Sequence, residues 1–377
     1  MLSLSIALIV SFVVTGLIIR LSNSGRRSWD DHELDGAQKF HARPVPRIGG
    51  VGVGAGLLAL TGWVALTGAG PTHELWLAWL CGGPALASGL SEDFTKRVGV
   101  KVRLAATTVS GAMAFFLLDA QLKAVEFPGL DHLMVYPAFS LAFTMVAFGG
   151  VANAINIIDG YNGLAAVVVS VILLSLGYVG FQVHDSLVVS VALAGTGAMV
   201  GFLLWNWPRG LIFLGDGGAY FAGYLVALLS FLLVARHPDE VSPWYPLLLC
   251  IYPVFETLFS IWRKRFVRGV SPGVPDGLHL HMLVFRRLVR WAVGRRDAAS
   301  LTLRNSLTAP YLWLLSSMAA IPATLLWRQP RALQAMVAVF CLLYVWLYLR
   351  LVRFRAPRWL VIQSPRGGPL SRFKDRL

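Results

Sequence analysis

Apolar runs long enough to cross a bilayer recur along nearly the whole of this 377-residue chain, and that recurrence limits its fold more than any other feature. About 20 apolar residues rising 1.5 Å each span the roughly 30 Å of a hydrocarbon core. Runs of this kind lie near 2–19, 48–68, 74–90, 104–119, 137–155, 160–181, 187–205, 211–235, 244–262, 308–326 and 333–349. In lipid every backbone N–H and C=O must be satisfied inside the protein, which a helix does within one segment. The expectation is an all-α, polytopic integral membrane helical bundle of about 11 transmembrane helices. Composition agrees: only 14% of residues are charged, against roughly 25% in soluble domains. The first run has no basic residue before it and Arg20, Arg26 and Arg27 after it, so it reads as an uncleaved helix and not a signal peptide.

Charge gives the orientation. With the N-terminus outside, 29 of the 33 Lys and Arg residues fall on the inward segments and only Lys123, Arg236, Arg328 and Arg331 on the outward ones. That asymmetry obeys the positive-inside rule and puts the C-terminus in the cytoplasm. The organisation expected is one transmembrane catalytic domain over 1–352, with cytoplasmic loops at 20–47, 91–103, 156–162, 206–216 and 263–304, followed by a basic cytoplasmic tail at 353–377. The net charge of +14 is then a matter of topology and of attraction to anionic membrane lipid. No soluble basic face with interleaved aromatics is present, so no nucleic-acid partner is expected. Cys81, Cys250 and Cys341 all sit in predicted helices without CxxC spacing, which indicates neither a disulfide framework nor a zinc site. Glycines such as Gly195 and Gly197 in an apolar run permit a homodimer.

All the organised polar groups fall on the inward side. They are Lys39-Phe-His41 with Arg43-Pro-Val-Pro-Arg47-Ile-Gly-Gly; Glu92-Asp93; Asn153-Ala-Ile-Asn156-Ile-Ile-Asp159-Gly-Tyr-Asn162-Gly-Leu; Gly215-Asp216-Gly-Gly; and Asp276-Gly-Leu-His279-Leu-His281. Polar side chains at a membrane boundary cost free energy unless they are paired, so a cluster there marks a site. Carboxylates and amides are hard oxygen donors suited to Mg²⁺, which takes one or two protein oxygens plus waters and substrate phosphates. Asn156, Asp159 and Asp216 are the natural donors, and Arg, Lys and His on neighbouring loops would meet phosphate oxygens. Acids, amides and cations with few Ser or Cys nucleophiles favour phosphoryl chemistry over acyl transfer. Glu256, inside a predicted helix, is either a buried structural acid or a neighbour of a lipid phosphate.

The order Lys-x-His with Pro-Arg-x-Gly-Gly, a paired-acid loop, Asn-x-x-Asn-x-x-Asp-Gly-x-x-Gly-Leu, Gly-Asp and His-x-His resembles the polyprenyl-phosphate N-acetylhexosamine-1-phosphate transferases, from about Lys39 to His281. The resemblance implies transfer of a sugar 1-phosphate from a UDP-N-acetylhexosamine to polyprenyl phosphate at the cytoplasmic membrane, with release of UMP. It implies Mg²⁺, replaceable by Mn²⁺, on Asn156 and Asp216. Catalytic roles fall to Glu92, Asp93, Asp159 and Asp216, with Glu92 and Asp93 orienting or deprotonating the lipid phosphate. Substrate contacts fall to Lys39, Arg47, Asn153, Asn162, His279 and His281. This chain has Glu92 where the family usually has Asp, Met282 where a third His often stands, and Asn162 where bacterial members commonly have Asp.

The rival classes are a secondary transporter or lipid-phosphate flippase, a membrane scaffold and a CDP-donor phospholipid synthase. A transporter would gather its polar residues near the midplane. A scaffold needs no Asp, Asn and Gly on separate loops of one side. The Asp-Gly-x-x-Ala-Arg signature of the synthase is missing.

Overall fold

A computed structural model of the chain describes residues 1–24, 30–31, 44–271, 273, 277–289 and 298–353. It is an all-α bundle, and among the described residues the strands are a two-residue antiparallel pair, Asp30–Asp31 with Val45–Pro46. The helices are α1 (Leu2–Asn23), α2 (Gly49–Thr67), α3 (Thr72–Thr95), α4 (Val100–Leu117), the short α5 (Leu130–Met134), α6 (Pro137–Ile158) and α7 (Leu164–Gln182). They continue with α8 (Ser186–Asn206), α9 (Gly215–Arg236), α10 (Trp244–Leu249), α11 (Ile251–Trp262), α12 (Leu280–Arg287), α13 (Ala298–Leu325) and α14 (Pro330–Val352). Among the described residues eight of these, α1, α2, α4, α6, α7, α8, α9 and α14, are long and apolar enough to cross a membrane. The chain is a multi-pass membrane protein.

The other three expected crossings are helical but less regular. The run at 74–90 becomes α3, which continues through Glu92 and Asp93. The run at 244–262 is split at Cys250, because Pro253 has no N–H to donate and its ring would strike the carbonyl four residues back. The run at 308–326 is the later part of α13, whose earlier turns carry Arg304, Asn305 and Ser306. The expected loop at 263–304 is correspondingly not irregular throughout: it holds a π-helical turn at Arg263–Val267, α12 and the beginning of α13.

Helix α9 is the axis of the fold. Every residue from Gly215 to Val234 is buried, as expected of a helix apolar on all sides. It packs against α2, α3, α4, α6, α7 and α8. Small residues set these approaches: a Cβ on Gly89 would come 2.5 Å from the Gly217 backbone, and Gly223 lies equally close to Ala152. Gly195 and Gly197, which permitted a dimer in the sequence, are used inside the chain instead. The first faces Leu173 of α7 and the second the Leu4 backbone of α1.

The two ends of α9 carry different polar chemistry. At its C-terminus Arg236 reaches Glu74 at 2.9 Å and Asp185 at 3.5 Å, and Asp185 also caps α8 by accepting from the Val188 N–H at 3.0 Å. Its N-terminus collects the candidate site.

Candidate active site

Two chain segments build the N-terminus of α9. The Phe213 N–H donates to the Pro46 carbonyl at 2.8 Å, while the Gly49 and Gly50 N–H groups donate to Phe213 and Leu214 at 3.0 and 2.8 Å. The Pro-Arg-Ile-Gly-Gly and Leu-Gly-Asp-Gly-Gly motifs are therefore one clamp, although more than 160 residues separate them. Gly215 adopts φ +75° with the Arg47 carbonyl against its Cα, so no side chain fits there.

Asp93 closes the clamp from α3. One carboxylate oxygen accepts from the Asp216 N–H at 2.9 Å and the other from the Gly217 N–H at 2.8 Å. These are first-turn amides of α9, which have no intrahelical acceptor, and the helix dipole adds to their attraction for an anion. Asp93 is thus a helix cap supplied from 123 residues away. Its neighbour Glu92 points elsewhere and accepts from the Val98 N–H at 2.6 Å, which fastens the turn between α3 and α4.

Asp216 lies in the first turn of α9 and is the hub. One oxygen accepts from the Asn156 amide at 2.7 Å and the other is ion-paired to Arg103, with Arg47 at 3.7 Å. Arg47 also lies 4.0 Å from Asp93. Asp159 follows the last turn of α6, and its carboxylate makes no hydrogen bond or ion pair among the described residues.

Electrostatics tie the three acids together. Burial, then the charge of Asp216, pushes the Asp93 carboxyl up from 3.8 to about 7, against the opposing pull of the α9 amides and Arg47. Burial likewise holds Asp159 well above the ordinary carboxylate range, with Asp216 and Asp93 adding to the rise. Three acids so placed repel one another, and a cation among them would relieve the repulsion.

The His-x-His pair joins this region through the Asp159-Gly160-Tyr161 turn. His281 is fully buried, meets the Tyr161 ring edge-on at 5.6 Å and stacks on His279 at 5.2 Å with the rings 4° from parallel. His279 Nδ1 is 2.9 Å from Glu256. Asn162 is buried and structural in its contacts. Its N–H donates to Asn305 at 2.7 Å and its amide to Ser306 at 3.2 Å, which ties the α6–α7 turn to α13. Asn153 accepts from the Tyr220 hydroxyl at 3.4 Å, across α6 and α9. Lys39, His41, Arg43 and Asp276 lie outside the described residues.

Of the expected site residues, Arg47, Asp93, Asn156, Asp159 and Asp216 come together, and His279 and His281 approach the same turn. Glu92, Asn153 and Asn162 make the separate contacts given above. Arg103 was read in the sequence only as topological charge, yet it is 7% exposed and holds Asp216. The signal was its place on the face of α4 that also buries Thr107, Ser110, Gly111 and Ala114.

The oxygen donors fit a magnesium-type ion. Among the described residues no three His, Cys, Asp or Glu side chains enclose an ion by themselves, and Mg²⁺ needs no such enclosure, since waters and substrate phosphates fill its shell. Asp216, Asn156 and Asp159 supply hard oxygens beside an acidic excess.

Comparison with known proteins gives the relatives of this chain. The family model for glycosyl transferase family 4 matches residues 75–234. A phospho-N-acetylmuramoyl-pentapeptide-transferase of Corynebacterium jeikeium is 30% identical over 276 residues, 60% of this chain and 74% of that protein. The chain belongs to glycosyl transferase family 4. Other members are similar over more of its length. A probable undecaprenyl-phosphate N-acetylglucosaminyl 1-phosphate transferase of Bacillus subtilis is 29% identical, covering 69% of this chain and 70% of the relative. An undecaprenyl-phosphate alpha-N-acetylglucosaminyl 1-phosphate transferase of Escherichia coli O157:H7 is 26% identical, covering 76% and 77%. The resemblance read from the ordered motifs is borne out, and the matched family segment contains Asp93, Arg103, Asn156, Asp159 and Asp216.

Proposed function

We propose that this protein transfers an N-acetylhexosamine 1-phosphate from a UDP-sugar to polyprenyl phosphate at the cytoplasmic face of the inner membrane, releasing UMP. The product begins an O-antigen or related cell-envelope glycan. The observation that carries this reading is the convergence of three acids, an amide and two arginines on the N-terminus of α9, at one end of a membrane bundle. Family membership and the names of the relatives support the same chemistry. The transporter reading is less well served, because the described polar cluster lies at one end of α9 and not along its buried middle.

The reaction joins an oxygen of the lipid phosphate to the sugar-bearing phosphorus and breaks the pyrophosphate bond to UMP, which leaves with the bonding electrons. A phosphate monoester has a second pKa of about 6, so the acceptor is largely dianionic at pH 7 and needs no strong base. That accords with Asp93 giving both oxygens to backbone amides: its part is to hold α9, and with it Asp216, in place. The barrier is chiefly the repulsion between two anions, which positive charge at the site reduces. Arg47 and Arg103 supply fixed positive charge beside Asp216. Asp216 and Asn156, with Asp159 beside them, would hold Mg²⁺, which when bound neutralises phosphate charge and aligns the pyrophosphate.

The test is UMP release by purified protein from a panel of UDP-N-acetylhexosamines with undecaprenyl phosphate. Release that requires lipid, divalent cation and Asp216 is expected, and the donor that works names the sugar. No release from any donor by folded protein that binds the lipid would overturn the reading.

A further inference from the structure

We propose that Glu256 is a positioning residue for the reaction: from inside the bundle it orients His279 and balances its charge, so that His279 presents a fixed cation to an anionic substrate. The inference rests on the transferase reading and deepens it.

Glu256 is 0% exposed on α11, a position where an unpaired carboxylate would be prohibitively costly. It is surrounded by donors. One oxygen lies 2.9 Å from His279 Nδ1, the other accepts from the Tyr344 hydroxyl at 2.8 Å, and the Leu280 N–H reaches both at 3.2 and 3.3 Å. The phenol and the peptide N–H satisfy lone pairs but carry no charge. Of these three partners only the imidazole can neutralise the carboxylate, by taking a second proton.

The arrangement also sets which way the ring faces. A histidine whose Nδ1–H is held by a carboxylate has its ring plane fixed, with Nε2 directed away. His279 precedes α12 as its N-cap residue, and the Leu280 bond ties the start of that helix to the same carboxylate. Three elements, α11, α12 and α14, thus meet at Glu256. The fixed ring stacks on His281, which abuts Tyr161 and the turn bearing Asp159. Among the described residues the pair also lies near His281, near Tyr252 on α11, whose hydroxyl is buried, and near Arg263 on the π-helical turn, which donates to the Leu278 carbonyl and the Tyr348 hydroxyl.

A buried acid that merely stabilised the bundle would act on all substrates and at all pH values alike. A positioning residue acts through His279 alone, and a double-mutant cycle separates the two. Glu256→Gln, His279→Asn and the double variant are compared for kcat and KM with pH, in protein of matched melting temperature. Glu256→Gln is expected to lower kcat/KM at least tenfold and to move the alkaline limb of the rate profile, because the carboxylate that faces His279 Nδ1 has lost its charge. In the His279→Asn background the same change should alter kcat/KM by less than about twofold. Losses that multiply in the double variant, or an unmoved alkaline limb, would overturn the proposal. Should Glu256→Gln not fold, Tyr344→Phe takes its place in the cycle: it loosens the carboxylate without removing its charge, and its smaller loss must likewise vanish in the His279→Asn background. Inactive wild-type protein would count against the transferase reading, whereas active wild type with multiplicative losses counts only against the role of Glu256.

Discussion

The two ends of α9 each hold an aspartate that caps a helix, and the difference between them separates structure from site. Asp185 caps its own helix, α8, and its charge is answered by Arg236, with His237 at 3.5 Å. Asp93 caps a helix far away in sequence and lies beside two more acids, Asp159 and Asp216, with Arg47 and Arg103 as the described cations. At one end both carboxylates, Glu74 and Asp185, are paired to Arg236. The other gathers three acids around two arginines and leaves the Asp159 carboxylate without an ion pair among the described residues, the kind of feature that marks a functional site in a membrane protein.

The sharpest way to break this contrast is to neutralise each end in turn. Asp216→Asn should reduce UMP release about a thousandfold, the scale of losing a main electrostatic element of a transition state. Asp185→Asn should leave turnover within about fivefold, since it removes only pairing remote from the chemistry. Equal losses would mean that the ends are not functionally distinct.

Packing gives the next test. Gly89→Val places a side chain 2.5 Å from the Gly217 backbone, where α3 grips the first turn of α9. It should cost ~1–3 kcal/mol of stability or more and remove activity, whereas Gly62→Val, with nothing within 4 Å of its Cβ, should change neither. Melting temperature and UMP release on both variants decide it.

A pH series in the absence of divalent cation sharpens the account of Asp93. Its carboxyl is raised from 3.8 to about 7 in the folded protein, so between those values the unfolded chain has released a proton that the folded one keeps. The contribution of Asp93 is therefore fully present below 3.8, falls as pH rises toward about 7 and is flat above that. Chemical denaturation in detergent should show wild type losing stability over this window and Asp93→Asn losing less. The smallest effect belongs to the paired end: Glu74→Ala should lower stability by about 1 kcal/mol or less, because the Arg236–Glu74 pair is partly exposed.

Much of this was legible before any coordinates, for reasons that differ between elements. The bundle was plain because apolar length alone decides a membrane helix, and most expected runs match helices to within a few residues. The run broken at Cys250 and the loop that became α12 and part of α13 departed from it, where prolines and mixed polarity weaken the signal. The acids and amides of the site were visible as polar residues in the wrong medium. Arg103 was obscured by the basic inward segment it ends, although it shares the face of α4 that buries Thr107, Ser110 and Ala114. The capping by Asp93 was not visible: a cap within one helix leaves a local pattern, as Asp185-Ser-Leu-Val does, but one given across 123 residues leaves none. Glu256 stood out as an acid in an apolar helix, yet its partners His279 and Tyr344 lie 23 and 88 residues away.

The most direct test of the central claim needs no turnover. Thermal melts of wild type, Asp216→Asn and Asp185→Asn are taken in detergent with and without millimolar Mg²⁺. The account predicts that Mg²⁺ raises the melting temperature of wild type and of Asp185→Asn, and leaves Asp216→Asn where it was. An equal rise in all three, or none in wild type, would contradict the claim that the N-terminal end of α9 is a site built to receive a cation.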